Sequence, residues 1–222
     1  MTNTLTRPKA VIFDCDGVVM DSEGLSFDLL AAELAQYGHP MTLDEMRALF
    51  LGGTLGGFWT AARASGVDLP DDWVQAQYGR MYAALAVHTP LVAGIIPVLD
   101  ALDGAGVPYS IGSNGPTQKM KITMGQYPGL MERFHGRIYS AQAMGAPKPA
   151  PDVYLHAAAE LGVAPANCAV IEDSVAGARA AQAAGMRCFG YAEHGTGQDL
   201  AALGAVVFHS MADLPGLLGL NG

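Results

Sequence analysis

The chain has 222 residues, half of them hydrophobic and 15% charged, which supplies a large core and argues against disorder. Its formal net charge of −9 turns away nucleic acid and anionic membrane as principal partners. It also means that an anionic ligand must be held by local cations or a metal.

Three cysteines, Cys15, Cys168 and Cys188, are odd in number and form no CxxC pair. That is the pattern of reduced thiols, packed as small hydrophobes in a cytoplasmic protein. The opening MTNTLTRPK has no apolar run, so no signal peptide is expected. No stretch reaches the ~18–20 continuous apolar residues of a membrane span.

Ala10–Phe13 is too short and too β-rich for a helix and reads as a buried strand. It runs into Asp14-Cys15-Asp16. Phe27, Leu30, Leu34 and Tyr37 then recur near helical spacing, predicting a helix over Leu25–Gln36 that Gly38 stops. Leu43–Leu49 reads as a second short helix with Asp44 and Glu45 in its first turn. A glycine-rich run, Gly52–Gly57, precedes helices over Phe58–Ser65 and Asp71–Ala86, and no strand pattern interrupts this region.

After Pro90 the elements alternate. Helices are expected over Ile96–Leu102, Thr117–Gln126, Pro151–Leu161 and Ser174–Ala184. Strands are expected over Pro108–Gly112, Arg137–Ser140, Ala169–Ile171, Arg187–Gly190 and Val206–Phe208. Such alternation implies a parallel sheet with right-handed crossovers. The organisation is an α/β core, residues 1–19 and 89–222, interrupted by an all-helical insertion, residues 20–88.

Ligands of open α/β sheets bind outside the carboxyl ends of the strands. Asp14 and Asp16 follow the first strand, Ser113 and Asn114 the second, and Glu172 and Asp173 the strand Ala169–Ile171; Lys148 lies in GAPKPAPDVY before a helix. Taken singly, Ser113-Asn114-Gly115 is a turn and Glu172-Asp173-Ser174 a helix start. Taken together, clustered carboxylates call for a hard cation, Mg²⁺ before others. A carboxylate beside such an ion can attack phosphorus. A second acid can protonate the leaving alcohol and then activate water. Enzymes accelerate phosphate monoester hydrolysis by as much as ~10²¹, of which acid–base help supplies only ~10²–10⁴. Metal, nucleophile and electrostatic donors must therefore share the work.

These four motifs, in this order, resemble the haloacid dehalogenase superfamily, and its subfamily of phosphatases with a small helical cap inserted after the first motif. SNGPTQKM and MGQYPGLMERFHG are similar to the branch of bacterial 6-phosphogluconate and other sugar-phosphate phosphatases. The resemblance implies a Rossmann-like α/β core with a parallel sheet flanked by helices. It implies Asp14 as nucleophile and Mg²⁺ ligand, and Asp16 as general acid/base whose backbone carbonyl also meets the metal. Asp173 would be a direct ligand, with Glu172 nearby or acting through water. Ser113, Asn114 and Lys148 would hold the phosphoryl group, Lys148 also neutralising charge. Haloacid dehalogenases proper lack the second acid of Asp-x-Asp, so Asp16 favours phosphoryl transfer. Glu23, just past the first motif, is a candidate contact to substrate hydroxyls. The expected enzyme is a cytoplasmic monomer acting on a small phosphorylated metabolite through an aspartyl phosphate.

The rival is a β-phosphoglucomutase-like phosphohexomutase on the same core and cap. Such mutases resemble one another in a Gly-x-Ser-Arg loop that holds a second phosphate. Here the corresponding LFLGGTLGGFW has no arginine, and only Arg47 and Arg63 flank it. A neutral loop suits a bisphosphate poorly, so hydrolysis is preferred.

Overall fold

The computed structural model describes residues 6–42, 44–46 and 53–220. Among them the strands are β1 (Ala10–Phe13), β2 (Tyr109–Ser113), β3 (Ile138–Ser140), β4 (Cys168–Glu172), β5 (Arg187–Tyr191) and β6 (Val206–Phe208). They form one sheet in the order β3-β2-β1-β4-β5-β6, and every pair is parallel. This is the Rossmann-like order, in which the chain builds outward from β1 on one side and then returns to build on the other.

The central strands β1 (AVIF) and β4 (CAVIE) are largely continuous apolar runs because both faces of the sheet are covered. Alternate residues of β1 serve opposite faces. Val11 and Phe13 join Ile111, Ile171 and Phe189 in one cluster, packed by Val98, Leu99 and Leu102 of α4 (Ile95–Gly104) and by Met120 and Met124 of α5 (Thr117–Met124). Ala10 and Ile12 join Val170 and Cys188 in the other, under Val153 and Tyr154 of α7 (Asp152–Glu160) and Ala178 and Ala181 of α8 (Val175–Ala183). A four-residue α6 (Leu130–Arg133), α9 (Gln198–Ala202) and α10 (Leu214–Leu217) complete the helices of this part.

The stretch between β1 and α4 is helical where described. Its helices α1 (Glu23–Gln36), α2 (Leu55–Ala64) and α3 (Trp73–Val87) close around their own apolar cluster. There the rings of Phe58 and Trp73 stack at 5.2 Å. Residues 44–46 are helical; the rest of the expected Leu43–Leu49 helix lies outside the described residues.

One boundary differs in an informative way. The glycine run was expected to precede a helix starting at Phe58, but α2 begins at Leu55 and takes Gly56 and Gly57 into its first turn. Thr54 is the reason: its side chain accepts from the Gly57 N–H at 3.1 Å, and an N-cap of this kind offsets the poor helix propensity of glycine.

The two connections between the halves run side by side. Asp21 N–H donates to Pro90 O and Val92 N–H to Val19 O. No helix among the described residues is long and apolar enough to cross a membrane.

Candidate active site

The order of strands reverses between β1 and β4, and the chain ends of both strands open there into one cleft. In the register, Phe13 lies beside Ile111 and Ile171, so Asp14, Ser113 and Glu172 emerge together at the carboxyl edge. Asp14, Asp16, Ser113, Asn114, Lys148, Glu172 and Asp173 all line that cleft, and α1, α2 and α3 supply its opposite wall.

Lys148 is the hub. Its ammonium donates to Asp14 Oδ1 at 2.5 Å and to Glu172 Oε1 at 2.7 Å, and the residue is buried. Asn114 fixes the Lys148 backbone from both sides: its Oδ1 accepts the Lys148 N–H at 2.7 Å and its Nδ2 donates to the Lys148 carbonyl at 3.4 Å. Ser113 Oγ accepts from the Gly115 N–H at 2.9 Å and so shapes the turn that leads into α5.

Glu172 is fully buried, and both of its oxygens are occupied. Oε1 accepts from Lys148 and from the Tyr154 hydroxyl, and Oε2 from the backbone N–H groups of Asp173 and Ser174 and from the Ser174 hydroxyl. Burial would raise its pKa, but Lys148 and Ser174 outweigh burial and hold the carboxyl below its ordinary value. The carboxylate tucks so closely under the start of α8 that a Cβ on Gly177 would stand 1.7 Å from Oε1. Glu172 therefore anchors Lys148, and no oxygen of it is open for direct metal ligation.

Asp14 behaves differently. Its carboxyl is raised to about 7, by burial first and then by Glu172 and Asp16, against the pull of Lys148. Asp16 leaves the strand direction altogether, because β1 ends at Phe13 and the chain folds back through Gly17 to a bridge between Asp16 and Met20. Its Oδ1 accepts from the Ser22 hydroxyl at 2.5 Å and from the ammonium of Lys119 at 2.7 Å. Cys15, between the two acids, packs into the apolar cluster with Phe13.

Comparison with known proteins agrees with this geometry. A family model for haloacid dehalogenase-like hydrolases matches residues 8–185. The chain belongs to that family. It is 29% identical to the 6-phosphogluconate phosphatase of Escherichia coli over 98% of both chains. It is also 29% identical to hexitol phosphatase B of the same species, over 80% of this chain and 81% of that one. Among solved structures, a haloacid dehalogenase family hydrolase from Deinococcus radiodurans, with bound phosphate and sodium, superposes with a TM-score of 0.78. The two are 33% identical over 97% of this chain and 98% of that one. The protein is thus an enzyme of the hydrolase class with named phosphatase relatives.

Among the described residues, two acids of this haloacid dehalogenase-like site have no ion-pair partner of their own. Asp173 makes no ion pair among the described residues. It is driven well above its ordinary value by burial first and then by Glu23, Glu172 and Asp14. Glu23, at the start of α1, is pushed up to about 8 by burial and then by Asp16. A hard divalent ion relieves such crowding. No three His, Cys, Asp or Glu side chains among the described residues are gathered into a metal cage. Mg²⁺ does not need one, since it is held by one or two carboxylates together with waters and substrate phosphate. Asp14 and Asp173, facing the same cleft, fit that demand.

Sequence reasoning missed Lys119. The third residue of α5, it is buried and turned onto Asp16. Burial lowers its pKa, but Asp16, Cys15 and Glu23 raise it further, so it stays charged. The signal in the sequence was a lysine three residues into the helix that follows the Ser113-Asn114-Gly115 turn, which is indistinguishable there from a solvated one. The flanking Arg63 is taken up elsewhere, paired with Asp71 at 2.6 Å and lying over the Trp59 ring. Arg47 and Leu49 to Gly52 lie outside the described residues.

Proposed function

We propose that this enzyme is a Mg²⁺-dependent phosphatase of small phosphorylated metabolites, namely sugar phosphates and sugar-acid phosphates such as 6-phosphogluconate. The observation that carries this reading is a carboxylate, Asp14, held by a buried ammonium at the mouth of a cleft that also holds a second acid, Asp16.

The chain's residues then divide the work. An Asp14 oxygen attacks phosphorus, the ester P–O bond breaks, and Asp16 gives its proton to the departing alkoxide. Asp16 next takes a proton from water. That water attacks the aspartyl phosphate, freeing Asp14 and inorganic phosphate. Lys148 balances charge on Asp14 and on the phosphoryl oxygens, with Ser113 and Asn114 shaping their cradle. Mg²⁺, on Asp14, Asp173 and the Asp16 carbonyl, would supply further neutralisation of the phosphoryl oxygens.

In this reading residues 1–19 and 89–222 are the catalytic core and residues 20–88 a cap that closes over the leaving group, in a cytoplasmic monomer. The relatives, named as a 6-phosphogluconate phosphatase and a hexitol phosphatase, support the substrate class. Among the described residues, no arginine or lysine of the 20–88 stretch lines the cleft, which disfavours the mutase.

The test measures inorganic phosphate released from a panel of phosphorylated metabolites with and without Mg²⁺. In parallel it follows conversion of β-glucose 1-phosphate to glucose 6-phosphate. Magnesium-dependent release from sugar or sugar-acid phosphates is expected. Isomerisation without release would replace hydrolase by mutase.

A further inference from the structure

Two cations line the cleft among its described residues, and their surroundings differ. Lys148 bridges two carboxylates at the sheet edge, Asp14 and Glu172. Lys119 makes a single ion pair among the described residues, with Asp16 Oδ1 at 2.7 Å, whereas an ammonium carries three donors. Its stem is held by the same turn: a Cβ on Gly115 would meet Asp16 Oδ2 at 3.1 Å and Lys119 Cδ at 3.8 Å. The ammonium is therefore fixed in place with donors to spare.

Its position relative to the chemistry follows from Asp16. If Asp16 protonates the leaving oxygen, that oxygen lies about 2.6–3.2 Å from its carboxylate. Oδ1 already takes Ser22 and Lys119, so the proton passes from Oδ2, and Lys119 Nζ, on the other oxygen of the same carboxylate, lies within about 8 Å of the leaving oxygen. That span runs along the carbon chain of the alcohol, while Lys148, on Asp14, serves the phosphoryl group. Beyond it the wall is Ser26, Phe27, Leu30, Tyr78 and Met81, with Glu23 as a further acid.

We propose that Lys119 recognises the leaving group and selects phosphate monoesters whose alcohol bears a carboxylate, over neutral sugar phosphates. The proposal rests on the phosphatase reading and names the substrate class within it. A chain of net charge −9, with Asp14, Asp16, Glu23, Glu172 and Asp173 around one cleft, repels a carboxylate everywhere else. A buried, incompletely paired ammonium near the leaving oxygen supplies the local attraction that such a substrate requires.

The experiment compares kcat/KM for 6-phosphogluconate and 2-phosphoglycolate with that for glucose 6-phosphate and glycerol 3-phosphate. It uses the full chain, as wild type, Lys119→Met and Lys119→Arg. Wild type should favour the two acids. Lys119→Met should lower kcat/KM for the acids about tenfold more than for the neutral esters, chiefly through KM, and Lys119→Arg should restore the preference. An equal loss for all four esters, carried by kcat, would show that Lys119 acts only through Asp16 and would overturn the proposal. So would a wild-type enzyme that hydrolyses neutral esters as readily as acidic ones, a result that needs no variant to fold. Absence of phosphate release from every ester, p-nitrophenyl phosphate included, overturns the phosphatase reading along with the proposal. Release from neutral esters alone overturns the proposal and leaves that reading standing.

Discussion

Lys148 donates to Asp14 Oδ1 at 2.5 Å although the two residues stand 134 positions apart in the chain. The contact closes only when β1, β4 and the segment before α7 are all in place, so folding and site assembly are one event. Glu172 takes the other side of the same ammonium. Lys148→Met leaves two acids without their cation, one of them fully buried. Removing one partner of a buried pair costs about 3–5 kcal/mol, to be read from urea denaturation. The same variant should lose about 10²–10³ in kcat, as when one electrostatic donor is removed from an active site. A stability change below about 1 kcal/mol would mean the pair is solvated and the anchoring argument fails.

Asp16→Asn separates the two halves of the proposed reaction. The amide oxygen still accepts from Ser22 and Lys119, so the local fold is kept, but no proton can be given or taken. Turnover should fall by about 10²–10⁴. With p-nitrophenyl phosphate, whose leaving group departs without a proton, acid quench and intact-protein mass spectrometry should detect a phosphorylated chain that wild type does not accumulate. Asp14→Asn should show neither turnover nor that adduct, since an amide is a poor nucleophile. Wild-type turnover by Asp16→Asn would remove Asp16 from the acid–base role.

Much of this arrangement was legible in the sequence, for physical reasons that also mark where legibility stops. The strands stood out because parallel strands covered on both faces are unbroken apolar runs, as Ala10–Phe13 and Cys168–Glu172 are. The acids stood out because they follow those runs. The start of α2 did not, because Gly56 and Gly57 argue against a helix unless the Thr54 cap is known. Nor did α6, since four residues carry no period to read. Glu172 and Asp173 are neighbours with the same charge, yet one is enclosed by five donors and the other faces the cleft. That division is decided by Tyr154, Ser174 and Lys148, none of them adjacent to both acids in sequence. Lys119 was invisible for the same reason: its partner Asp16 comes from another strand end.

The cysteines carry a prediction of inertness. All three are buried and unpaired. Burial pushes the Cys168 thiol up to about 11 and the Cys188 thiol up to about 12; burial and then Asp16 and Asp14 drive Cys15 well above its ordinary value. Thiolate, not thiol, is the reactive form. An aromatic disulfide reagent at mildly alkaline pH should therefore find no fast-reacting thiol in the native protein and all three after denaturation. Rapid native labelling would show that one of the three opens to solvent, and loss of activity with it would point to Cys15, beside the acids.

Gly17 tests the metal assignment without replacing any proposed ligand. It has φ +77°, and a Cβ there would stand 2.0 Å from Asp173 Oδ2 and 2.9 Å from its Cγ. Gly17→Ala must accept a left-handed conformation costing about 1–2 kcal/mol and must also push the Asp173 carboxylate aside. If Asp173 holds Mg²⁺, the concentration of Mg²⁺ giving half-maximal phosphate release should rise about tenfold, with activity partly recovered at saturating metal. Gly24→Ala is the control. It lies in α1, its added Cβ meets nothing within 4 Å, and helix propensity predicts a gain of about 0.5–1 kcal/mol in stability. The Mg²⁺ requirement of Gly24→Ala should stay where wild type has it. Equal Mg²⁺ curves for the two variants would place the metal away from Asp173, because the clash at Gly17 forces that carboxylate to move.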